Sequence, residues 1–295
     1  MSKRLEILKT YKLYINGSFP RTESGRYYIA KGPKGEDLGN CCLGSRKDFR
    51  NAVVAARKSQ ASWAEKSAYN IGQVIYRIAE NLESRKTEFS SLIRKEEGVS
   101  ESKANKTVEI AIDRLVYFAG WSDKYQQIFS SVNPVASSHF NFSMVEARGV
   151  IAAICDENTR FIGLVSAIAM SLCTANTIVI LASENSPLTA LSFAEVLQHS
   201  DVPAGVVNIL TGKKEELEPH FASHMDVNSL LLLGDEFDTT TLGETAAINL
   251  KRVMHWTLNK IHSSTIESPY ALKDLMEVKT TWHPIEQIGG AKAGY

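Results

Sequence analysis

Two carboxylates stand side by side at Asp156-Glu157, directly after Cys155 and an apolar run over 150–154. A thiol and an acid pair are the residue types that nucleophilic and acid–base chemistry uses, and a helix N-terminus beyond a strand end lowers a thiol pKa. No histidine is placed to serve as partner base. Cys155 therefore reads better as a small buried residue, and Asp156-Glu157 as acids favoured by a helix macrodipole. His220 and His224 lie four apart on a helical stretch, the spacing of two metal ligands on one face. No third ligand stands nearby, so they read as surface histidines and no metal site is assigned. Cys41-Cys42 lack C-x-x-C spacing. Gly205 and Gly212-Lys213 have the wrong separation for a phosphate loop, and Trp63, Trp121 and Tyr125 read as packing. G-x-G-x-x-G, G-x-x-x-x-G-K-[ST], H-E-x-x-H and G-x-S-x-G do not occur in the required contexts. No catalytic residue is assigned.

The elements that must position these residues change character along the chain. Residues 11–19 alternate around Asn16-Gly17, a type I′ hairpin signal, and a second hairpin is expected over 27–43. Ser45, with Asp48 three residues on, marks a helix start. Ile71, Val74, Ile75, Ile78 and Leu82 form one apolar stripe of a helix. Further helices are expected over 88–97 and 101–129, then a strand over 140–145. From Gly149 the pattern alternates: strands at 150–154, 177–181, 206–210 and 229–233, helices at 161–174, 187–199 and 215–224. That alternation implies an α/β fold, a Rossmann-like parallel sheet with helices on both faces. After Gly234 the signal weakens to a helix over 242–250, a strand over 252–258, a polar linker over 261–269, a short helix over 270–276 and a strand-like tail. The glycine-rich stretch 289–294 is expected to be mobile. The chain divides into a domain over 1–260, with 131–147 as a strand region for oligomerisation, and a linker and assembly tail over 261–295.

Composition bounds the function classes. With 44% hydrophobic and 22% charged residues in 295, a globular chain with a substantial core is expected. Lys+Arg and Asp+Glu balance at 33 each, which offers no field for nucleic acid or an anionic membrane, so neither is expected as partner. No window approaches ~18 apolar residues and no secretory signal is visible. Four cysteines make no disulfide framework, and a cytoplasmic location is the expectation.

Several segments then occur in order: GVIAAI at 149–154, ANTIVILASENSPLTAL at 175–191, VPAGVVNILTG at 202–212 and ASHMD at 222–226, preceded by YING at 14–17 and AVVAA at 52–56. Together they resemble the aldehyde dehydrogenase superfamily over roughly residues 10–235. The resemblance is most similar to the degenerate second module of its tandem, two-copy members. It implies that domain 1–260 corresponds to the cofactor-binding domain. The family's Pro-Trp-Asn-Phe-Pro matches Asp156 to Arg160, so its oxyanion-stabilising asparagine falls on Asn158. Its ribose-holding Lys-Pro-x-Glu matches Leu181 to Glu184, keeping the acid and losing the lysine. Its Gly-Ser at the helix facing the pyrophosphate becomes Gly234-Asp235. A carboxylate there, ~4 Å from a phosphate, costs about 4 kcal/mol at an effective dielectric of ~20. Glu184, Asn158 and Gly234 are thus vestigial cofactor-binding positions, and no cofactor is expected, with NAD the only candidate.

Beyond Gly234 nothing matches the family's Glu-Leu-Gly-Gly or its nucleophilic cysteine, and the chain resumes similarity at 276–283 with the family's carboxy-terminal strand. The resemblance therefore implies a catalytically silent aldehyde dehydrogenase-like protein with a structural or assembly role. The partner is a second copy of itself or a full-length aldehyde dehydrogenase subunit. The alternatives are an NAD(P)-dependent aldehyde oxidoreductase with an altered site or a catalytic half from another chain, and a small-molecule binding module lined by Asp156, Asn158 and Arg160.

Overall fold

A computed structural model describes residues 7–285. In chain order it contains β1 (Thr10–Tyr11), β2 (Tyr27–Lys31), β3 (Asp37–Cys42), α1 (Arg46–Ala64), α2 (Ala68–Ser84), α3 (Lys86–Glu97), α4 (Glu101–Trp121), α5 (Tyr125–Phe129), β4 (Ser131–Asn133), β5 (His139–Ala147), β6 (Val150–Cys155), α6 (Arg160–Cys173), β7 (Thr177–Leu181), α7 (Pro187–Gln198), β8 (Val207–Leu210), α8 (Lys214–Ser223), β9 (Ser229–Leu233), α9 (Thr239–Ala247), β10 (Arg252–Trp256), α10 (Leu258–His262) and β11 (Met276–Pro284). The stretch 289–294 lies outside the described residues.

The centre is a five-stranded, all-parallel sheet in the order β10-β9-β6-β7-β8. Strands β6, β7, β8 and β9 are buried and mostly apolar because both their faces are covered, whereas the edge strand β10 exposes Arg252 and His255. Along β6 the period-two alternation divides the core. Ile151, Ala153 and Cys155 face α2, α4, α6 and α7, while Val150, Ala152 and Ile154 face α1, α8 and α9. Helix α6 is buried from Phe161 to Cys173, as a helix that is apolar all round must be. On the other face Phe49 of α1 stacks on Phe221 of α8 at 3.9 Å. A fully buried ring or leucine of this kind contributes roughly 1.5–3 kcal/mol.

Two small sheets flank this centre, β1-β3-β2 and β11-β5-β4. In the second, all nine residues of β11 pair with β5 antiparallel, from Met276 opposite Ala147 to Pro284 opposite His139. Buried Arg148 anchors this ladder, its Nε donating to the Met276 carbonyl at 3.0 Å and lying 3.3 Å from Glu277 Oε1.

The described structure revises four local expectations. Asn16 and Gly17 both adopt positive φ and close a turn, with Ile15 and Ser18 exchanging hydrogen bonds, but no long hairpin grows from it. Tyr14 instead exchanges two bonds with Ile209 and extends the edge of β8. The helix expected over 101–129 ends at Trp121, and a three-residue turn separates it from α5. The expected linker over 261–269 is folded. Ile261 and Ile266 are buried, and the guanidinium of buried Arg114 donates to the carbonyls of Ile261 and Ser263. The short helix beyond it is a 3₁₀ turn, Pro269–Leu275. Among the described residues no helix is long and apolar enough to cross a membrane.

Candidate functional site

Strands β6 and β9 are neighbours, yet the chain leaves them in opposite directions across the sheet: β7 and β8 lie beyond β6, β10 beyond β9. The crevice at their carboxyl ends is the switch point where open α/β sheets take ligands. The loops after β6, β7, β8 and β9 bring Asp156–Arg160, Ala182–Ser186, Thr211–Lys213 and Gly234–Phe237 to this rim.

Asp156 lies at the bottom and is fully buried. Its Oδ1 accepts from the N–H groups of Asn158 (2.9 Å) and Thr159 (2.8 Å) and from the Thr159 hydroxyl (2.7 Å). Its Oδ2 accepts from the N–H groups of Asp235 (2.8 Å) and Glu236 (3.3 Å). Gly234 makes room for this carboxylate. Its φ is +122°, and a Cβ there would fall 1.9 Å from Asp156 Cγ. Any other residue at 234 collides with the acid.

The Asp235 carboxylate accepts from the N–H of Leu258 at 3.2 Å, at the start of α10. The acid that occupies the loop amides is Asp156. Residue spacing carried a signal for part of this: an Asp followed by Asn and Thr two and three residues on is an Asx-type turn. The bonds to Asp235 and Glu236, nearly eighty residues away, had none.

Glu184 and Asn158 reach the same rim, Glu184 with both carboxylate oxygens engaged and Asn158 with a single bond from Nδ2. Glu184 pairs with Lys213 and accepts from the N–H of Lys214 at 2.9 Å. The Lys213 ammonium is held above its usual range by that bond. Lys213, set aside in the sequence because its spacing from Gly205 is wrong for a phosphate loop, is a rim residue as the partner of Glu184. Asn158 is exposed and donates through Nδ2 to Glu236 Oε1 at 3.2 Å. Leu181 is buried and packs with Val179 and Leu210 behind the sheet. Glu157 is raised above its usual carboxyl range by burial and by the Glu184 charge nearby. The Arg160 side chain, at the end of the same loop, pairs with Glu97 at 2.6 Å and borders a cavity of about 690 Å³ that Asn158 and Thr159 also line, with Lys103, Phe161 and His262.

Nucleophiles are scarce at this rim. All four cysteines are buried. Cys155, nearest the strand ends, has its thiol pushed well above the usual range by burial and by the Asp156 charge. Burial pushes Cys173 up to about 12. Strand β10 ends at Trp256, whose indole N–H is donated to Asp274 at 2.9 Å. Among the described residues no three His, Cys, Asp or Glu side chains converge as metal ligands. His224 instead stands edge-on to Phe49 at 5.5 Å and accepts the Asp226 N–H at 3.2 Å through Nδ1.

Comparison with known proteins agrees with this architecture. The family model described as aldehyde dehydrogenase family matches residues 21–255. The chain is 32% identical over 260 residues to the putative aldehyde dehydrogenase DhaS of Bacillus subtilis (strain 168), covering 86% of this chain and 52% of that protein. It is 30% identical over 257 residues to cytosolic 10-formyltetrahydrofolate dehydrogenase of Mus musculus, covering 85% of this chain and 28% of that protein. Among solved structures, an aldehyde dehydrogenase from Bacillus cereus in complex with NAD+ superposes with a TM-score of 0.80 at 25% identity, covering 84% of this chain and 51% of that one. The chain thus spans about half the length of DhaS and less of the formyltetrahydrofolate enzyme. On the matched residues and the shared fold together, the chain belongs to the aldehyde dehydrogenase family.

Proposed function

We propose that this chain is an aldehyde dehydrogenase-like subunit that serves assembly and turns over no aldehyde by itself. The observation that carries the reading is the β4-β5-β11 sheet. It is an antiparallel blade whose outer strands have unpaired edges among the described residues. Its surface exposes Val132, Phe140, Met144, Val278 and Trp282. Free strand edges beside apolar side chains are templates for a neighbouring sheet. The partner is another subunit of the same fold, a second copy of this chain or a full-length aldehyde dehydrogenase.

The chemistry of the rim supports the same reading. Aldehyde oxidation through a thiohemiacetal needs a nucleophile. In a covalent enzyme its loss costs on the order of 10⁶ in kcat. Residues 235–295 hold no cysteine, and the four upstream are buried. The Bacillus cereus relative was solved with NAD+. Here position 181 is a leucine buried in the core, which supplies no donor to a dinucleotide, and Glu184 is already tied to Lys213. The rival oxidoreductase reading drew on Glu184 and Asn158, and Glu184, tied to Lys213 and Lys214, gives it no support.

Light scattering after size exclusion tests the assembly role. The full chain is expected to run as a dimer or larger, and removal of 276–295 to release monomers. A monomer at every concentration, indifferent to that deletion, overturns it. Dinucleotide reduction in the presence of an aldehyde, well above a heat-treated blank, overturns the silent half.

A further inference from the structure

The five donors around Asp156 come from two loops at adjacent strand ends, and four of them are backbone N–H groups. Convergent main-chain N–H groups at a strand–loop junction form a nest for an oxyanion, the device that α/β folds use for phosphate. This nest lies at the switch point, where the fold places its ligand. Its donors are fixed, and its occupant is a side chain of the same polypeptide.

The arrangement is unfavourable unless the donors and the acid need each other. A buried carboxylate is stable only with its lone pairs satisfied, and buried N–H groups without an acceptor are equally costly. Among the described residues no lysine or arginine bonds to Asp156, so there amides and one hydroxyl carry the task. Gly234 completes the fit, because its bare Cα lets the carboxylate lie against the chain that supplies two of the donors.

We infer that the Asp156 carboxylate is a resident anion standing where a dinucleotide phosphate would lie, so that the crevice is closed to dinucleotides and becomes a receptor for inorganic phosphate or pyrophosphate once that carboxylate is removed. The family's cofactor does not fit the residues present: the N–H groups of Asp235 and Glu236 are spent on Asp156, Leu181 offers no donor, and Glu184 is tied to Lys213 and Lys214. Two anions cannot share one set of amides. This inference concerns the crevice alone and stands or falls independently of subunit assembly.

The test uses the full chain and two variants, Asp156→Gly, which empties the nest, and Asp156→Asn, which keeps its volume and turns one oxygen into a donor facing donors. Thermal unfolding is followed with phosphate, pyrophosphate and chloride at matched ionic strength. The wild-type midpoint is expected to ignore the choice of anion. Asp156→Gly is expected to melt lower by about 5 °C or more and to recover at least half of that loss, saturably, in pyrophosphate but not in chloride. Asp156→Asn is expected to fall without recovery, since its side chain still blocks the nest. Calorimetric titration of the wild type with ADP is expected to show no binding. Saturable ADP binding by the wild type overturns the inference, as does an Asp156→Gly protein that ignores every anion. Should Asp156→Gly not fold, the wild-type amide resonances of Asp235 and Glu236 decide it. They must stay in place as pyrophosphate is added, and a saturable shift of both rejects the inference.

Discussion

Glu96 caps the wrong helix by sequence and the right one in space. It lies near the end of α3, yet its carboxylate accepts the N–H groups of Leu188 (2.6 Å) and Thr189 (3.0 Å) at the start of α7, and the Thr189 hydroxyl as well. It is almost wholly buried, and that burial raises its carboxyl from 4.5 to about 7 against the opposing pull of those bonds. Between those values the folded chain holds a proton that the unfolded chain has released. Stability therefore falls as pH rises through that window, by roughly 3 kcal/mol in all. Urea titrations at pH 5 and 8 should show the decline, and Glu96→Gln should flatten it. Arg114 makes a second residue-scale case. Its buried guanidinium donates to Ser166 Oγ at 2.6 Å and to the carbonyls of Ile261 and Ser263. Arg114→Ala leaves those acceptors bare and should lower unfolding free energy by about 3 kcal/mol, read from the urea midpoint. The positions of Glu184, Asn158 and Gly234 were legible in the chain, because short motifs carry addresses. Their partners were not. Lys213 for Glu184, Glu236 for Asn158 and Asp156 for Gly234 are chosen by loops that meet only after the sheet has formed.

Elements were legible where the local signal was complete. Ser45 and Asp48 make the reciprocal capping box their spacing implied, opening α1. Asp48 does more than cap, since it also accepts from the Thr22 hydroxyl at 2.5 Å and the Glu23 N–H at 3.2 Å, fastening the amino-terminal segment to the helix. Ser45→Ala should therefore cost about 1 kcal/mol, and Asp48→Ala about 2–3 kcal/mol because several buried donors lose their acceptor. Equal losses in paired urea melts would show that Asp48 acts as a cap alone. The parallel strands were legible for a related reason: apolar runs closed by Gly or polar residues have few other fates. The stop of α4 at Trp121 was marked only by Gly120 and Ser122-Asp123, a weak signal inside a stretch with no proline. There Lys124 returns its ammonium to the Gly120 carbonyl at 2.5 Å, and the chain re-enters as α5. The supposed linker failed for the opposite reason. Its polar residues hid Ile261 and Ile266, two buried anchors too widely spaced to mark a period.

At the scale of the whole molecule, the domain and its blade carry different kinds of information. The core explains itself in its four buried strands, which are covered on both faces, while the edge strand β10 leaves Arg252 and His255 exposed. The blade has exposed apolar side chains and, among the described residues, unpaired outer edges, the features on which the proposed assembly role rests. Val278→Lys with Trp282→Lys places charge on side chains that are 63% and 58% exposed. The pair should leave monomer stability within about 0.5 kcal/mol while shifting light-scattering mass toward the monomer. Arg148→Ala should act otherwise, freeing β11 from β5 and lowering stability as well as mass. Agreement between those two results would remove the distinction between edge and anchor.

The ladder of β11 on β5 also bears on how the protein is made. Trp282 lies opposite Asn141, about 140 residues later in the chain. At a synthesis rate of ~5–20 residues per second, β5 leaves the ribosome on the order of ten seconds before its neighbour exists. For that interval the nascent chain holds an apolar strand with only β4 beside it, a natural stop for a chaperone and a point where crowding on a polysome could seed misassembly between sister chains.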